Sequence, residues 1–186
     1  MVLNMNKTWT FIKQDVPVSQ ATASTDPSNW SNINLPHSFD IPYCKACYAK
    51  APHIGWYRKH LTVNQEWLTG KKTDQYQIRD RILVSQVYVN GVLAGTYAGG
   101  YTTFSYDITS LVHAGDNVIA VRLDATQNPR VAPRSGEHIF IGGIYRNVHL
   151  VLTDPLHVTW YGTFVTTPQV TSSSATVKRS GPGLII

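Results

Sequence analysis

Glutamate is nearly missing from this chain of 186 residues: Glu66 and Glu137 stand beside nine aspartates. The net charge of +5 and pI near 9.2 therefore reflect scarce acids rather than concentrated bases. Lys7, Lys13, Lys45, Lys50, Arg58, Lys59, Lys71, Lys72, Arg79 and Arg81 fall in separate segments, and no run of five basic residues occurs. Without such a footprint the chain is not read as a nucleic-acid binder. No apolar run approaches the about 18 residues that a membrane-spanning helix needs, so no membrane partner is expected. The opening Met1-Val2-Leu3-Asn4-Met5-Asn6-Lys7 lacks the apolar stretch of a signal peptide. Only Cys44 and Cys47 are cysteines, too few to settle the compartment, and the localisation stays open. Sustained helical spacing is absent too, which leaves no room for a packed helix of several turns.

What the chain does have is a period of two. Gly55–Val63 alternates Trp56, Arg58 and His60 against Tyr57, Lys59 and Leu61. Shorter alternations start at Trp9, Phe11 and Val16, at Tyr76, Ile78, Ile82 and Val84, at Phe104–Ile108, at Val118–Leu123 and at Val148–Leu152. Between Val87 and Gly95, Asn90-Gly91 separates two apolar runs, and a two-residue hairpin is expected because both turn positions need positive φ. Asp107–Val112 is expected to make one helical turn capped by Asp107 or Thr109. Arg58 and Arg146 are candidate buried ion-pair members, with Asp107 or Asp124 as mates. Trp56 and Tyr57 lie on opposite faces, so at most one of them needs to be core. Short strands separated by turns predict an all-β sandwich or jelly roll.

Two connections are too long for plain hairpins, at about 36–53 and 125–143, and connections of that length are usually functional or disordered. The first carries Cys44-Lys45-Ala46-Cys47, which with His37 and His53 gives the spacing H-x6-C-x2-C-x5-H. Cysteine and histidine at short intervals are zinc chemistry, but these intervals match no established finger. Loop cysteines without a metal are the expectation; no cofactor is expected anywhere. Beyond Asp154-Pro155 the pattern restarts, with strands expected at His157–Phe164 and Thr171–Val177. Residues 155–186 read as a linker and the truncated start of a second β unit, after a domain at 1–154.

Six motifs in order carry a resemblance. Leu35-Pro36-His37-Ser38-Phe39 is followed by Gly55-Trp56-Tyr57-Arg58-Lys59, Val87-Tyr88-Val89-Asn90-Gly91 and Gly99-Gly100-Tyr101-Thr102-Thr103-Phe104. Then come Gly115-Asp116-Asn117-Val118-Ile119-Ala120-Val121 and Gly142-Gly143-Ile144-Tyr145-Arg146-Asn147-Val148. From Trp30 to Val158 the chain resembles the N-terminal sugar-binding jelly roll, galactose-binding-like in fold, of glycoside hydrolase family 2, the family of β-galactosidases and β-glucuronidases. The resemblance implies that residues 155–186 begin an immunoglobulin-like sandwich. It further implies a (β/α)8 barrel carrying two catalytic glutamates, which retaining cleavage needs about 5–5.5 Å apart. Glu66 and Glu137 lie in unrelated segments, so no catalytic residue is assigned and the isolated chain is expected not to hydrolyse glycosides.

By the same resemblance, the loop before Gly143-Ile144-Tyr145-Arg146 reaches the mouth of the barrel. Glu137 would then be the rim residue on the substrate, with His138 and Arg134 beside it; a carboxylate can accept two sugar hydroxyls at once. The implied function is a non-catalytic domain of an exo-glycosidase in carbohydrate metabolism, with a β-glycoside as partner through the complete enzyme and homo-oligomerisation left open. The alternative is a free-standing carbohydrate-binding module that stacks Tyr and Trp faces on sugars.

Overall fold

The computed structural model describes residues 1–39, 53–69, 76–79 (backbone only), 84–99, 102–126, 130–131, 142–154, 156–158 and 162–180. In chain order these give β1 Val2–Asn4, β2 Trp9–Ile12, the single turn α1 Val18–Ala21, β3 Ser31–Ile33 and β4 Ile54–Val63. A second single turn, α2 Gln65–Leu68, holds exposed Glu66 and precedes β5 Tyr76–Arg79, β6 Val84–Val89 and β7 Val92–Ala98. The chain continues through β8 Thr103–Tyr106, β9 Gly115–Asp124, β10 Val148–Val151, β11 Phe164–Val170 and β12 Ala175–Ser180.

Ten of these strands form two antiparallel sheets, one ordered β3-β2-β4-β9-β6-β7 and the other β1-β10-β5-β8. Tyr57, Leu61 and Val63 of β4, Ile119, Val121 and Leu123 of β9, and Val148 and Leu150 of β10 point into one buried cluster. That is the i, i+2 alternation expected of two inner faces packed together. The fold is an all-β sandwich of the jelly-roll class, as the alternation predicts.

Asn90 and Gly91 both take positive φ, at 50° and 84°, so the expected two-residue hairpin forms between β6 and β7. Asp107 Oδ1 accepts from Thr109 N at 2.8 Å, which makes the expected cap, although the segment it starts is a turn rather than a helix. Strands β1 and β3, three residues each, escape the sequence pattern because they are too short to show a period.

The outer face of the six-stranded sheet departs from expectation. Trp56 is as buried as Tyr57, because residues 13–30 strap across that face and place Val16, Ala21 and Trp30 on Trp56, Tyr88 and Ala120. Two ion pairs tie the strap down. Asp15 takes a bidentate grip from Arg122, with Nε at 2.9 Å and Nη2 at 2.8 Å. Arg58, fully buried, reaches Asp26 at 3.2 Å and donates to the carbonyls of Thr25 at 2.9 Å and Ala23 at 2.5 Å. The mate of Arg58 is thus Asp26, not Asp107 or Asp124, and Arg146 is exposed over the ring of Tyr145 rather than buried in a pair.

Past the sandwich, β11 and β12 pair with each other, and with no other strand among the described residues. Of the strand expected over His157–Phe164, residues 159–161 lie outside the described residues and β11 begins at Phe164; Thr171–Ser174 form the turn, where Thr171 N donates to the Ser174 carbonyl at 2.8 Å. Pro168 is accommodated where the register shifts between Thr166 and Gln169.

Candidate functional site

The two long connections are fastened together at both feet. At one foot, His37 N donates to the Ile144 carbonyl at 2.8 Å, Phe39 N to the Gly142 carbonyl at 3.1 Å, and Ser38 Oγ to the same carbonyl at 3.0 Å. At the other foot, Ala125 N donates to the His53 carbonyl at 2.8 Å. The 36–53 connection therefore leaves and returns beside the 125–143 connection, and both spring from one end of the sandwich.

Glycine makes the first foot possible. Gly143 sits at φ +141°, and a Cβ there would lie 2.4 Å from the His37 carbonyl oxygen. A Cβ on Gly142 would lie 2.2 Å from the Phe39 ring. Phe39 stacks on Phe11 with centroids 5.6 Å apart, and Phe11 in turn touches His37 at 4.8 Å and Tyr57 at 4.7 Å. Lys13 lies over the Phe39 ring at 5.4 Å and donates to the Phe39 carbonyl at 3.2 Å.

Burial pushes the His37 imidazole below its ordinary range, so the ring is neutral at pH 7. Its Nδ1 lies 2.7 Å from the Tyr57 hydroxyl. With that nitrogen unprotonated the ring accepts from the phenol, and in the other tautomer it donates to it. Cys44 and Cys47, the other half of the weak zinc pattern, lie outside the described residues, as do Glu137, His138 and Arg134. Of the sequence-derived candidates, His37 and His53 are described, and each sits at one foot of the loop pair.

A polar hollow that the sequence reading passed over lies on the outer sheet face, beside the strap. It measures about 480 Å³ and is floored by Asn32, Thr10 and Arg58, directly opposed residues of β3, β2 and β4. No local pattern announced it, because Asn32, Thr10 and Arg58 come from three separate strands and meet only through their pairing.

The model of the glycosyl hydrolase family 2 sugar-binding domain matches residues 5–155. The chain belongs to glycoside hydrolase family 2. It is 35% identical over 164 residues to a β-galactosidase of Thermoanaerobacter pseudethanolicus, covering 84% of this chain and 21% of that protein. It is 33% identical over 181 residues to a β-galactosidase of Bacteroides ovatus, covering 92% and 20%. The crystal structure of a Bacteroides uniformis β-glucuronidase superposes with a TM-score of 0.84 at 32% identity, over 97% of this chain and 22% of that one. The family 2 chain described here thus spans about a fifth of the length of these relatives, and what it matches is their sugar-binding domain.

Proposed function

We propose that this chain acts as the non-catalytic sugar-binding-type domain of a β-galactosidase-like or β-glucuronidase-like exo-glycosidase. It braces the catalytic barrel and lends the 125–143 loop, with Glu137 foremost, to the wall of the substrate pocket. The observation that carries the reading is the pair of long loops held at both feet to one end of a family 2 sandwich. A rigid platform that gathers long loops at one end is how folds of this kind present binding residues. Residues 155–186 are the start of a further β-sandwich domain in this reading. The exposed apolar side chains Phe164, Val165, Val170 and Val177 of the hairpin support it, as a surface that awaits more strands.

Two measurements test the proposal. The purified chain is expected to leave chromogenic β-galactosides, β-glucuronides and β-mannosides uncleaved, because it offers no supported carboxylate pair. Turnover that survives repurification and disappears on mutating a residue of this chain would refute it. NMR titration with galactose and glucuronic acid is expected to shift resonances in 125–143 at millimolar ligand, since one wall of a pocket buries little of a sugar. Silence in that loop, with shifts elsewhere, would refute the assignment to Glu137, Arg134 and His138.

A further inference from the structure

A lysine stands where the alternation of β4 calls for an apolar side chain. Tyr57 and Leu61 point into the core, and Lys59 between them shares their face of the strand. Its stem runs outward beside fully buried Trp9, whose ring centre lies 5.9 Å from Nζ, and the ammonium emerges at the start of β2. There Nζ donates to the Lys7 carbonyl at 2.5 Å and to Thr8 Oγ1 at 2.9 Å. Thr8 takes φ +57°, a left-handed conformation that β-branched residues rarely adopt, and its N donates to Asn34 Oδ1 at 3.0 Å. Neither Lys59 nor Lys7 makes an ion pair among the described residues. Burial holds the Lys59 ammonium below the ordinary lysine range, with no carboxylate to offset it.

The hollow beside this ammonium has a one-sided lining. It measures about 510 Å³, and besides Leu35 it is lined by Asn4, Asn6, Lys7, Thr8, Asn34 and Lys59, with no carboxylate among the described residues. The carboxamide oxygens are already spent: Asn4 Oδ1 accepts from Asn6 N at 2.9 Å, Asn6 Oδ1 from Val148 N at 3.0 Å, and Asn34 Oδ1 from Thr8 N. What Asn4 and Asn34 have left to offer are their NH2 donors. An ammonium carries three donors, so Lys59 keeps one beyond the two it spends, and Lys7 adds its own. In the adjoining hollow over Arg58, the carboxylate of Asp26 is taken up by that arginine at 3.2 Å. Two positive charges and a surplus of donors, set against the apolar walls of Trp9 and Leu35, gather an anion.

We infer that Lys7 and Lys59 form a binding site for a doubly charged tetrahedral oxyanion, a phosphate or sulfate group, with the carboxamides of Asn4 and Asn34 as further donors. Two ammonium groups match two negative charges, and lysine, a point charge with rotatable donors, suits a tetrahedral group better than a planar fork would need to. The space is larger than one such ion, so it admits the organic remainder of an ester as well as the free ion. The inference goes beyond the loop-based reading above and does not rest on it. Lys7 is exposed and one side of the hollow is open, so affinity lies in the millimolar range and falls with added salt.

The test is an NMR titration of the isotopically labelled full chain with sodium phosphate, sodium sulfate and phenyl phosphate. It is run at about pH 7.5, where phosphate esters are doubly charged, with ionic strength held constant by sodium chloride. Sodium acetate is the control for a singly charged carboxylate. Saturable shifts are expected at Lys7, Thr8, Asn34 and Lys59, and Lys59 Cε should titrate at higher pH once the site is filled, since a bound anion favours the charged amine. Tighter binding of phenyl phosphate than of phosphate would make an ester the natural occupant, and weaker binding the free ion; either upholds the site. N34D keeps the acceptor for Thr8 N but puts a negative charge where the NH2 stood, and should weaken binding about 10-fold or more. K7Q, on an exposed side chain, should weaken it about 3-fold. Unperturbed spectra away from the hollow would show that both variants are folded. Absence of shifts at these residues by about 50 mM, well above a millimolar Kd, would overturn the inference. So would shifts that never saturate, acetate binding as tightly as phosphate, or full affinity in both N34D and K7Q. No sugar enters this titration, so its failure leaves the loop reading intact.

Discussion

The carboxamide of Asn90 donates to the Leu111 carbonyl at 2.9 Å and to Asn117 Oδ1 at 2.8 Å, while its own Oδ1 accepts from Val118 N at 2.9 Å. Asn117, fully buried, also takes His113 N on Oδ1 at 2.9 Å and donates to the carbonyls of His113 at 2.7 Å and Gly115 at 3.1 Å. One pair of amides therefore joins the β6–β7 turn, the 107–113 segment and β9. Asn117→Ala leaves several of these groups unpaired in the interior and is expected to cost about 2–4 kcal/mol by chemical denaturation. Asn90→Gly keeps the positive φ and loses only the side-chain bonds, so about 1–2 kcal/mol is expected. Acid titration reads two other residues. The His37 imidazole is pushed by burial below its ordinary value of 6.5, so the unfolded chain binds its proton first. Its contribution is whole above about pH 6.5 and erodes as pH falls toward the folded pKa. Hydrogen bonding to Arg122 holds the Asp15 carboxyl below 3.8, so that contribution is whole above pH 3.8 and is lost as pH falls further. His37→Gln is expected to flatten the melting temperature below about pH 6.5 and leave the steeper fall below pH 4; an unchanged profile would assign the first slope elsewhere.

At the scale of elements, the feet of the long loops turn on two adjacent glycines with different obstacles. In Gly143→Ala the new methyl meets backbone, the His37 carbonyl oxygen at 2.4 Å and Ser38 Cα at 2.7 Å, at a φ that L-residues avoid. In Gly142→Ala it meets the Phe39 ring at 2.2 Å, a side chain that can swing aside. Gly143→Ala is expected to cost about 3 kcal/mol or more and Gly142→Ala less, with Phe39→Ala relieving only the latter. Equal penalties, or rescue of both, would contradict this geometry. The sequence made β4, β9 and the Asn90-Gly91 hairpin legible, because long alternation and a turn with positive φ are local signals. The strap was illegible: Val16, Ala21 and Trp30 follow no period, and what buries them is Trp56 and Tyr88, strands away. The foot joining 37–39 to 142–144 spans a hundred residues of chain and leaves no local trace beyond its glycines. Of the candidate site, the loop ends were visible as lengths, whereas the polar hollow draws Asn32, Thr10 and Arg58 from three strands and left no local pattern. Its Arg58 announced burial but not its partner, since Asp26 arrives on the strap.

Across the whole molecule, what belongs to the sandwich is decided by where side chains are buried. The N-terminal end is integral: Met5 is buried, β1 pairs with β10, and the terminal amine donates to the Leu152 carbonyl at 2.6 Å while Leu152 N donates to the Met1 carbonyl at 2.8 Å. The C-terminal hairpin is the opposite case. Phe164 is 63% exposed and Val170 68%, and β12 is exposed along its whole length. Side chains that stay in water on folding add almost nothing through the hydrophobic effect, and a lone two-stranded hairpin is marginal on its own. Removing residues 159–186 is therefore expected to leave the melting temperature of the remaining chain within about 2 °C, since about 1 kcal/mol moves a domain of this size by about 2–4 °C. Removing residues 1–5 is expected to lower it by more than that, because a buried Met and a sheet edge go together. Differential scanning calorimetry of the two truncations and the intact chain separates the cases. A fall of more than about 5 °C on losing 159–186 would mean that the hairpin packs on the sandwich, and that the two are one folding unit rather than a domain and the start of the next.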